Sequence, residues 1–236
     1  MAESESALFG LRRVKLLQGL TEEALERVSR VCAWRRYEVG KALVARSSPS
    51  RDLFLVVSGR VRVTVYTASG RQVTFRDLAE GETFGEIAAV DGGPRSVDVL
   101  ALTEVLVAVM APADLNVLLR ENPIVAEQFT RHLVQLIRLL TETVIELSTL
   151  GVVNRIHAEL LRLAVEAGAG STGSCVLSPA PRHADIAARV STTREQVTRE
   201  FSVLTRRGLL IKRPEGMLIS DVHALGCMVE RASRDA

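Results

Sequence analysis

Gly85-Glu86-Ile87-Ala88-Ala89-Val90-Asp91-Gly92-Gly93-Pro94-Arg95-Ser96 is the stretch on which the reading of this chain turns. It sets a small residue, a carboxylate, a Gly-Gly-Pro corner and an arginine within twelve positions, with β-type sequence on both sides. The apolar run at 86–90 is too short for a core helix but long enough for one turn, and the backbone N–H groups opening such a turn attract phosphate. Arg95 can offer a two-pronged guanidinium to the same phosphate oxygens, and Ser96 adds a hydroxyl. Glu86 cannot hold phosphate, but it accepts hydrogen bonds from a sugar hydroxyl. A sugar joined to a phosphate is a nucleotide. The plain alternative is a surface ion pair between Glu86 and Arg95 beside an ordinary turn.

Outward from this stretch, 34–110 is written in short β-branched runs separated by glycines: 53–57, 61–66, 72–78, 97–101 and 105–110. That spacing predicts a small antiparallel barrel or jelly roll, with Ser58-Gly59-Arg60 and Ala68-Ser69-Gly70 as hairpin turns. Upstream, 11–20 reads as a flank, and Thr21-Glu22-Glu23 opens a helix through Cys32 with a hydroxyl cap and an acidic first turn. Downstream, 112–120 is a short helix with proline in its first turn, and Asn122-Pro123 starts a long one reaching about 150. On it Leu133, Ile137, Leu140, Val144 and Leu147 recur at spacings of four and three, the seam of a two-stranded coiled coil. No other long helix can receive that stripe, so the expected partner is its copy in a second subunit. Gly151 interrupts the seam, a helix follows at 153–167, and the glycine-rich 168–174 lacks the lysine of a P-loop and reads as a connection.

A second constellation lies at 182–213. Arg182, Arg189, Arg194, Arg199, Arg206, Arg207, Lys212 and Arg213 stand against Asp185, Glu195 and Glu200, eight minus three giving +5 where the whole protein carries +2. Any field that draws in nucleic acid is therefore local. A short helix at 183–190, a cap at Ser191-Thr192-Thr193 and a second helix at 193–207 with Val197, Phe201 and Leu204 on one face make helix-turn-helix sequence. Thr192, Thr193, Arg194, Glu195, Thr198 and Arg199 are the candidate DNA-reading residues. An arginine there can bond guanine bidentately and a glutamate can accept from cytosine, while Arg206, Arg207, Lys212 and Arg213 suit phosphate contact or solubility. Two apolar triplets, 209–211 and 217–219, form a two-stranded wing.

Phe84-Gly85-Glu86-Ile87-Ala88 followed by Pro94-Arg95-Ser96 resembles the phosphate-binding cassette of cyclic-nucleotide-binding domains, and Arg194-Glu195-x-Val197-x-Arg199 resembles the recognition helix of the cyclic-AMP receptor protein (catabolite activator)/FNR family of bacterial regulators. The likeness spans roughly 16–219 in one order and implies an α+β architecture: an N-terminal β-barrel or jelly-roll cyclic-nucleotide-binding domain at 1–121, a long dimerisation helix at 122–151 and a C-terminal winged helix-turn-helix at 152–236. It further implies a homodimer, in which Glu86 holds the ribose 2′-hydroxyl and Arg95 and Ser96 the cyclic phosphate, with Gly85, Ile87 and Ala88 completing the cassette. Double-stranded DNA with a palindromic, TGTGA-like site and RNA polymerase are the implied partners. Val97 stands where the family usually has alanine, and the two hydroxyl positions that meet adenine align with Leu140 and Thr141, of which only Thr141 keeps its hydroxyl. Cyclic AMP and cyclic GMP are thus both open as effector, with Thr141, Ser96 or Arg138 available to read the base.

Other classes fit less well. Cys32, Cys175 and Cys227 are too far apart for a metal cluster or disulfide framework, and His132, His157, His183 and His223 are scattered, so no metal, haem or iron–sulfur group and no catalytic triad is expected. The opening residues 1–6 are acidic rather than basic then apolar, no apolar run reaches membrane length, and a cytoplasmic protein without membrane contact is the expectation. Only 4% of residues are aromatic, against a base-stacking mode of RNA or single-strand recognition. The alternative that survives is the same fold regulating transcription without a nucleotide.

Overall fold

The computed structural model describes residues 8–170 and 173–234; the acidic opening at 1–6 and Ser171-Thr172 of the glycine-rich connection lie outside them. The chain divides into two compact units between Ile137 and Arg138.

The first unit is built on eight strands: β1 (Ala33–Tyr37), β2 (Ala42–Val44), β3 (Leu53–Ser58), β4 (Arg60–Tyr66), β5 (Gln72–Ala79), β6 (Thr83–Phe84), β7 (Asp98–Ala101) and β8 (Val105–Met110). They form two four-stranded antiparallel sheets, ordered β1-β8-β3-β6 and β2-β7-β4-β5, so the all-β block takes the double-sheet, jelly-roll form. The unbroken apolar run of β3 follows from burial of both faces. Phe54 and Val56 pack into the interior between the sheets with Val61, Leu78 and Val107. Leu53, Leu55 and Val57 face outward, under Leu11, Val14, Leu16 and Leu17 and the helices α1 (Glu22–Val31), α3 (Pro112–Glu121) and the start of α4 (Pro123–Thr149). Between β6 and β7 lies the short α2 (Glu86–Asp91). Each such Leu or Val contributes about 1.5–3 kcal/mol relative to exposure. Leu11, Val14, Leu16 and Leu17 of the 11–20 flank are therefore core, while Arg12, Arg13, Lys15, Gln18 and Gly19 stay exposed.

Two turn expectations separate here. Ala68-Ser69-Gly70 does close the β4–β5 hairpin. Ser58-Gly59-Arg60 instead carries the chain from one sheet to the other, because β3 pairs with β6 and β8 while β4 pairs with β5 and β7. The corner is tight: Gly59 has φ +86° and a Cβ there would lie 2.1 Å from the Glu104 carbonyl oxygen. Strand β1, absent from the sequence reading, is an edge strand whose Arg35 and Arg36 face solvent, which removes the apolar alternation. The hydroxyl cap of α1 is formed, with the Ala24 N–H donating to Thr21 Oγ1 at 3.3 Å.

In the second unit α4 ends at Thr149, and Gly151, in extended conformation, separates it from α5 (Val152–Glu166). There follow β9 (Cys175–Leu177), α6 (His183–Arg189), α7 (Arg194–Arg206), β10 (Leu210–Arg213), β11 (Gly216–Ile219) and α8 (Val222–Arg234). The wing has three strands, in order β10-β11-β9, rather than the two expected. β9 lies so close that a Cβ on Gly216 would meet the Leu177 carbonyl oxygen at 2.1 Å. Ile156 and Leu160 of α5, Ile186 of α6 and Val197, Phe201 and Leu204 of α7 share one buried cluster. Buried polar contacts also tie α5 to both helices of the motif: His157 Nε2 lies 2.7 Å from Glu200 Oε1 on α7, and the fully buried Glu159 meets Arg189 of α6 at 3.5 Å and Arg162 of its own helix.

Candidate functional site

In the first unit the sequence-predicted cassette is assembled around Arg95. Gly85, at φ +91°, turns the chain from β6 into α2, and a Cβ there would collide with Arg95 Nη1 at 2.6 Å and the Asp52 carbonyl oxygen at 2.8 Å. Only glycine fits. Arg95 is 4% exposed and its guanidinium donates three hydrogen bonds: Nε to Ser50 Oγ at 3.0 Å, Nη1 to the Gly85 carbonyl at 3.1 Å and Nη2 to the Asp52 carbonyl at 2.7 Å. A guanidinium carries five N–H donors, so two remain for a ligand. Phe54, stacked on Phe84, lies 5.3 Å beneath the guanidinium. Burial pulls the Arg95 pKa below the ordinary arginine value, against the opposing charges of Asp52 and Glu86. Ser96 and Ile87 are exposed, Gly85 is half-buried and Ala88 is buried.

Glu86, also 4% exposed, does not pair with Arg95 in the way the plain alternative required. Its Oε1 lies 3.6 Å from Arg76 Nη2 on β5 and 3.8 Å from His132 Nε2 on α4. Burial pushes the Glu86 carboxyl up; the His132 imidazole, the backbone N–H at 86 and the Arg76 charge outweigh it and hold the group below the usual carboxylate range. Arg76 and His132 were missed by the sequence reading, in which His132 counted only among scattered histidines. Arg138, Leu140 and Thr141, the candidates for reading the base, belong to the second unit and are all exposed. Along the seam, Leu133 is half-buried against the core of the first unit, whereas Ile137 and Val144 are 63% and 61% exposed and Leu140 and Leu147 are also exposed.

In the second unit Thr193 caps α7, its Oγ1 accepting the Gln196 N–H at 3.3 Å. Arg194, Glu195, Thr198 and Arg199 lie on the exposed side of the helix, opposite Val197, Glu200, Phe201 and Leu204. The backbone N–H at 195 and the Thr193 hydroxyl hold the Glu195 carboxyl below its usual range, so it is an ionised acceptor. Thr192 departs from the expectation: it is 6% exposed and its hydroxyl donates to Gln196 Oε1, so it serves the turn and not the outer face. Gln196, exposed beside Glu195, is a polar residue the sequence reading passed over. His183 is not a plain surface residue. Its Nδ1 bonds Thr198 Oγ1 at 2.8 Å and its ring meets Phe201 edge-on at 4.6 Å, with burial and then the Arg194 and Lys212 charges lowering its pKa. Since Thr198 donates its hydroxyl to the Arg194 carbonyl at 2.9 Å, the proton in the His183 bond sits on Nδ1.

Residues 34–122 match the family model described as cyclic nucleotide-binding domain, and 154–228 the Crp-like helix-turn-helix domain. The cyclic AMP receptor protein of Thermus thermophilus is 30% identical over 198 residues, 83% of this chain and 87% of that protein. The chain belongs to the cyclic-AMP receptor protein/FNR family of bacterial transcription regulators. Another family member, the CRP-like cAMP-activated global transcriptional regulator of Mycobacterium tuberculosis, is 25% identical over 215 residues, 91% of this chain and 96% of that one. The fold is shared with the global regulator of Xanthomonas campestris described as c-di-GMP responsive, at a TM-score of 0.74 and 22% identity over 85% of this chain and 99% of the other. The family matches place the cassette in the nucleotide-binding domain and α7 in the DNA-binding domain. Among the described residues no helix is long and apolar enough to cross a membrane.

Proposed function

We propose that this family member is a homodimeric, cytoplasmic transcription regulator whose effector is cyclic AMP or cyclic GMP, and that it is not an enzyme. The observation that carries the reading is the pair Glu86 and Arg95, each 4% exposed, in one cassette, with two guanidinium donors and one carboxylate oxygen unengaged among the described residues. An anion joined to a hydroxyl-bearing sugar satisfies both. Gly85, Ile87, Ala88 and Ser96 would line the phosphate and sugar. The exposed Ile137, Leu140, Val144 and Leu147, continued from Leu133, would pair with their copies in a second subunit. Arg194, Glu195, Thr198 and Arg199, with Thr193, would enter the major groove of a palindromic, TGTGA-like site whose halves lie about one helical turn apart. RNA polymerase is the further partner. In domain terms, 1–121 senses, 122–151 joins two copies and 152–236 binds DNA. No metal, haem or iron–sulfur group enters the mechanism.

The switch is linkage: the nucleotide shifts the equilibrium only by its differential affinity for the two states of the dimer. Calorimetric titration of the full chain with cyclic AMP and cyclic GMP, paired with titration of a labelled palindrome with and without each, tests it. Equal DNA affinity throughout would refute the switch. A specific observation favours a second reading, regulation without ligand: Arg95 already has three protein partners, so the cassette is held together when empty. Silence toward both nucleotides in calorimetry, with intact DNA binding, is its signature.

A further inference from the structure

We propose that His132 is a specificity-determining residue of the cassette, its Nε2–H donating to the oxygen of the same sugar hydroxyl whose proton goes to Glu86. This rests on reading Glu86 as the sugar-binding carboxylate. Glu86 Oε2 is fully enclosed and has no hydrogen-bond partner among the described residues, and His132 Nε2 is in the same condition. The two side chains face one another, with His132 Nε2 3.8 Å from Glu86 Oε1. That separation exceeds a hydrogen bond, as does the 3.6 Å from Arg76 Nη2 to the same oxygen. Arg76 and His132 therefore fix the carboxylate by charge and dipole without consuming the lone pairs of Oε2.

Buried polar atoms without partners are rare in folded proteins, and a carboxylate oxygen facing an imidazole nitrogen, which donates in the tautomer that carries its proton there, marks a place for a group that both donates and accepts. A hydroxyl is the smallest such group: its proton goes to the carboxylate and its lone pair takes the imidazole N–H. A methylene at the same position satisfies neither, and an ether oxygen only the imidazole. Discrimination against a ligand lacking the hydroxyl follows, because both protein groups are then left unpaired in a buried site. His132 also lies on α4, not on the β sandwich, so the hydroxyl makes a bond to the helix itself.

The test pairs a protein change with a ligand change. Wild type, His132→Leu and His132→Asn of the full chain are titrated calorimetrically with cyclic AMP and 2′-deoxy cyclic AMP, and with the matching cyclic GMP pair. Wild type is expected to bind the hydroxyl-bearing nucleotide at least about tenfold more tightly than the deoxy form. His132→Leu should lose about tenfold for the former and change by less than about twofold for the latter, while His132→Asn, which keeps an N–H donor, recovers part of the loss. Equal loss for both nucleotides in His132→Leu and His132→Asn alike would overturn the assignment and leave His132 a packing residue. If wild type takes up none of the four ligands, it is the nucleotide reading of the cassette that falls, and the role of His132 with it.

Discussion

Replacing Arg95 by lysine separates charge from shape. The guanidinium joins three points of the chain, Ser50 and Asp52 ahead of β3 and Gly85 behind β6, at 3.0, 2.7 and 3.1 Å. A lysine ammonium keeps the positive charge, but its donors radiate from one nitrogen and cannot reproduce the planar fork. At least two acceptors, the Asp52 and Gly85 carbonyls, lose their bonds. An unpaired buried acceptor costs about 1–3 kcal/mol. Both residues are half-buried, so water reaches part of the gap and the sum falls near the lower end, about 2 kcal/mol. For a phosphate bound as proposed, a bidentate grip would become a point contact; losing one charge-assisted bond of about 1.5–3 kcal/mol would weaken binding roughly tenfold to a hundredfold. The single tryptophan, Trp34, sits on β1 in the first unit, with its indole N–H donating to the Ser29 carbonyl at 3.2 Å. Urea denaturation followed by its fluorescence therefore reports on the unit that holds Arg95, and calorimetry with cyclic AMP and cyclic GMP gives the affinity. If Arg95→Lys matches wild type in both midpoint and affinity, the fork has no role and the reasoning fails. Full affinity in Arg95→Leu would place the phosphate elsewhere in the molecule.

Removing one partner of the buried His157–Glu200 hydrogen bond, as in His157→Leu or Glu200→Leu, is expected to cost about 1–3 kcal/mol, and the double variant less than the sum, because two apolar groups bury no orphan; denaturation followed by circular dichroism would show additive losses if the pair were not coupled. Burial, reinforced by Asp114, pushes the Cys32 thiol up to about 12, so alkylation of the native chain at pH 8 should modify the half-buried Cys227 and spare Cys32, and a Cys32 adduct in the mass spectrum would contradict this. Because the Glu86 carboxyl is depressed in the folded state, its stabilising contribution is present above its unfolded value of 4.5 and lost as pH falls through the lower folded value. The stability gap between wild type and Glu86→Gln should therefore be widest near neutrality and close in acid, and a gap independent of pH would contradict the sign.

What could be read ahead of the structure was whatever is encoded by neighbours in sequence. The apolar runs of β3 and β8, the Thr21 and Thr193 caps, and the burial of Val197, Phe201 and Leu204 all follow from local patterning. Strands β2 and β6 are three and two residues long and carry no period to detect. β9 is equally short and becomes a third wing strand only because Gly216 lets its backbone approach. Thr192 was misplaced because a hydroxyl ahead of a helix can face either way, and the turn consumes it. Within the cassette, Gly85, Glu86 and Arg95 stood out as candidates through their grouping and their resemblance to a known cassette, whereas Arg76 and His132 reach Glu86 only through the folding of β5 and α4 onto α2.

Two of the three acceptors that hold Arg95 are main-chain carbonyls, at positions 52 and 85. Substitution at position 52 changes a side chain and leaves its peptide oxygen in place, whereas position 85 holds its carbonyl toward the guanidinium only as glycine. The exposed Ile87 and Ser96 stand outside this anchorage. Side chains at those outer positions can therefore change without touching the three bonds that seat the guanidinium, so what surrounds the arginine is freer to drift than the arginine's own posture.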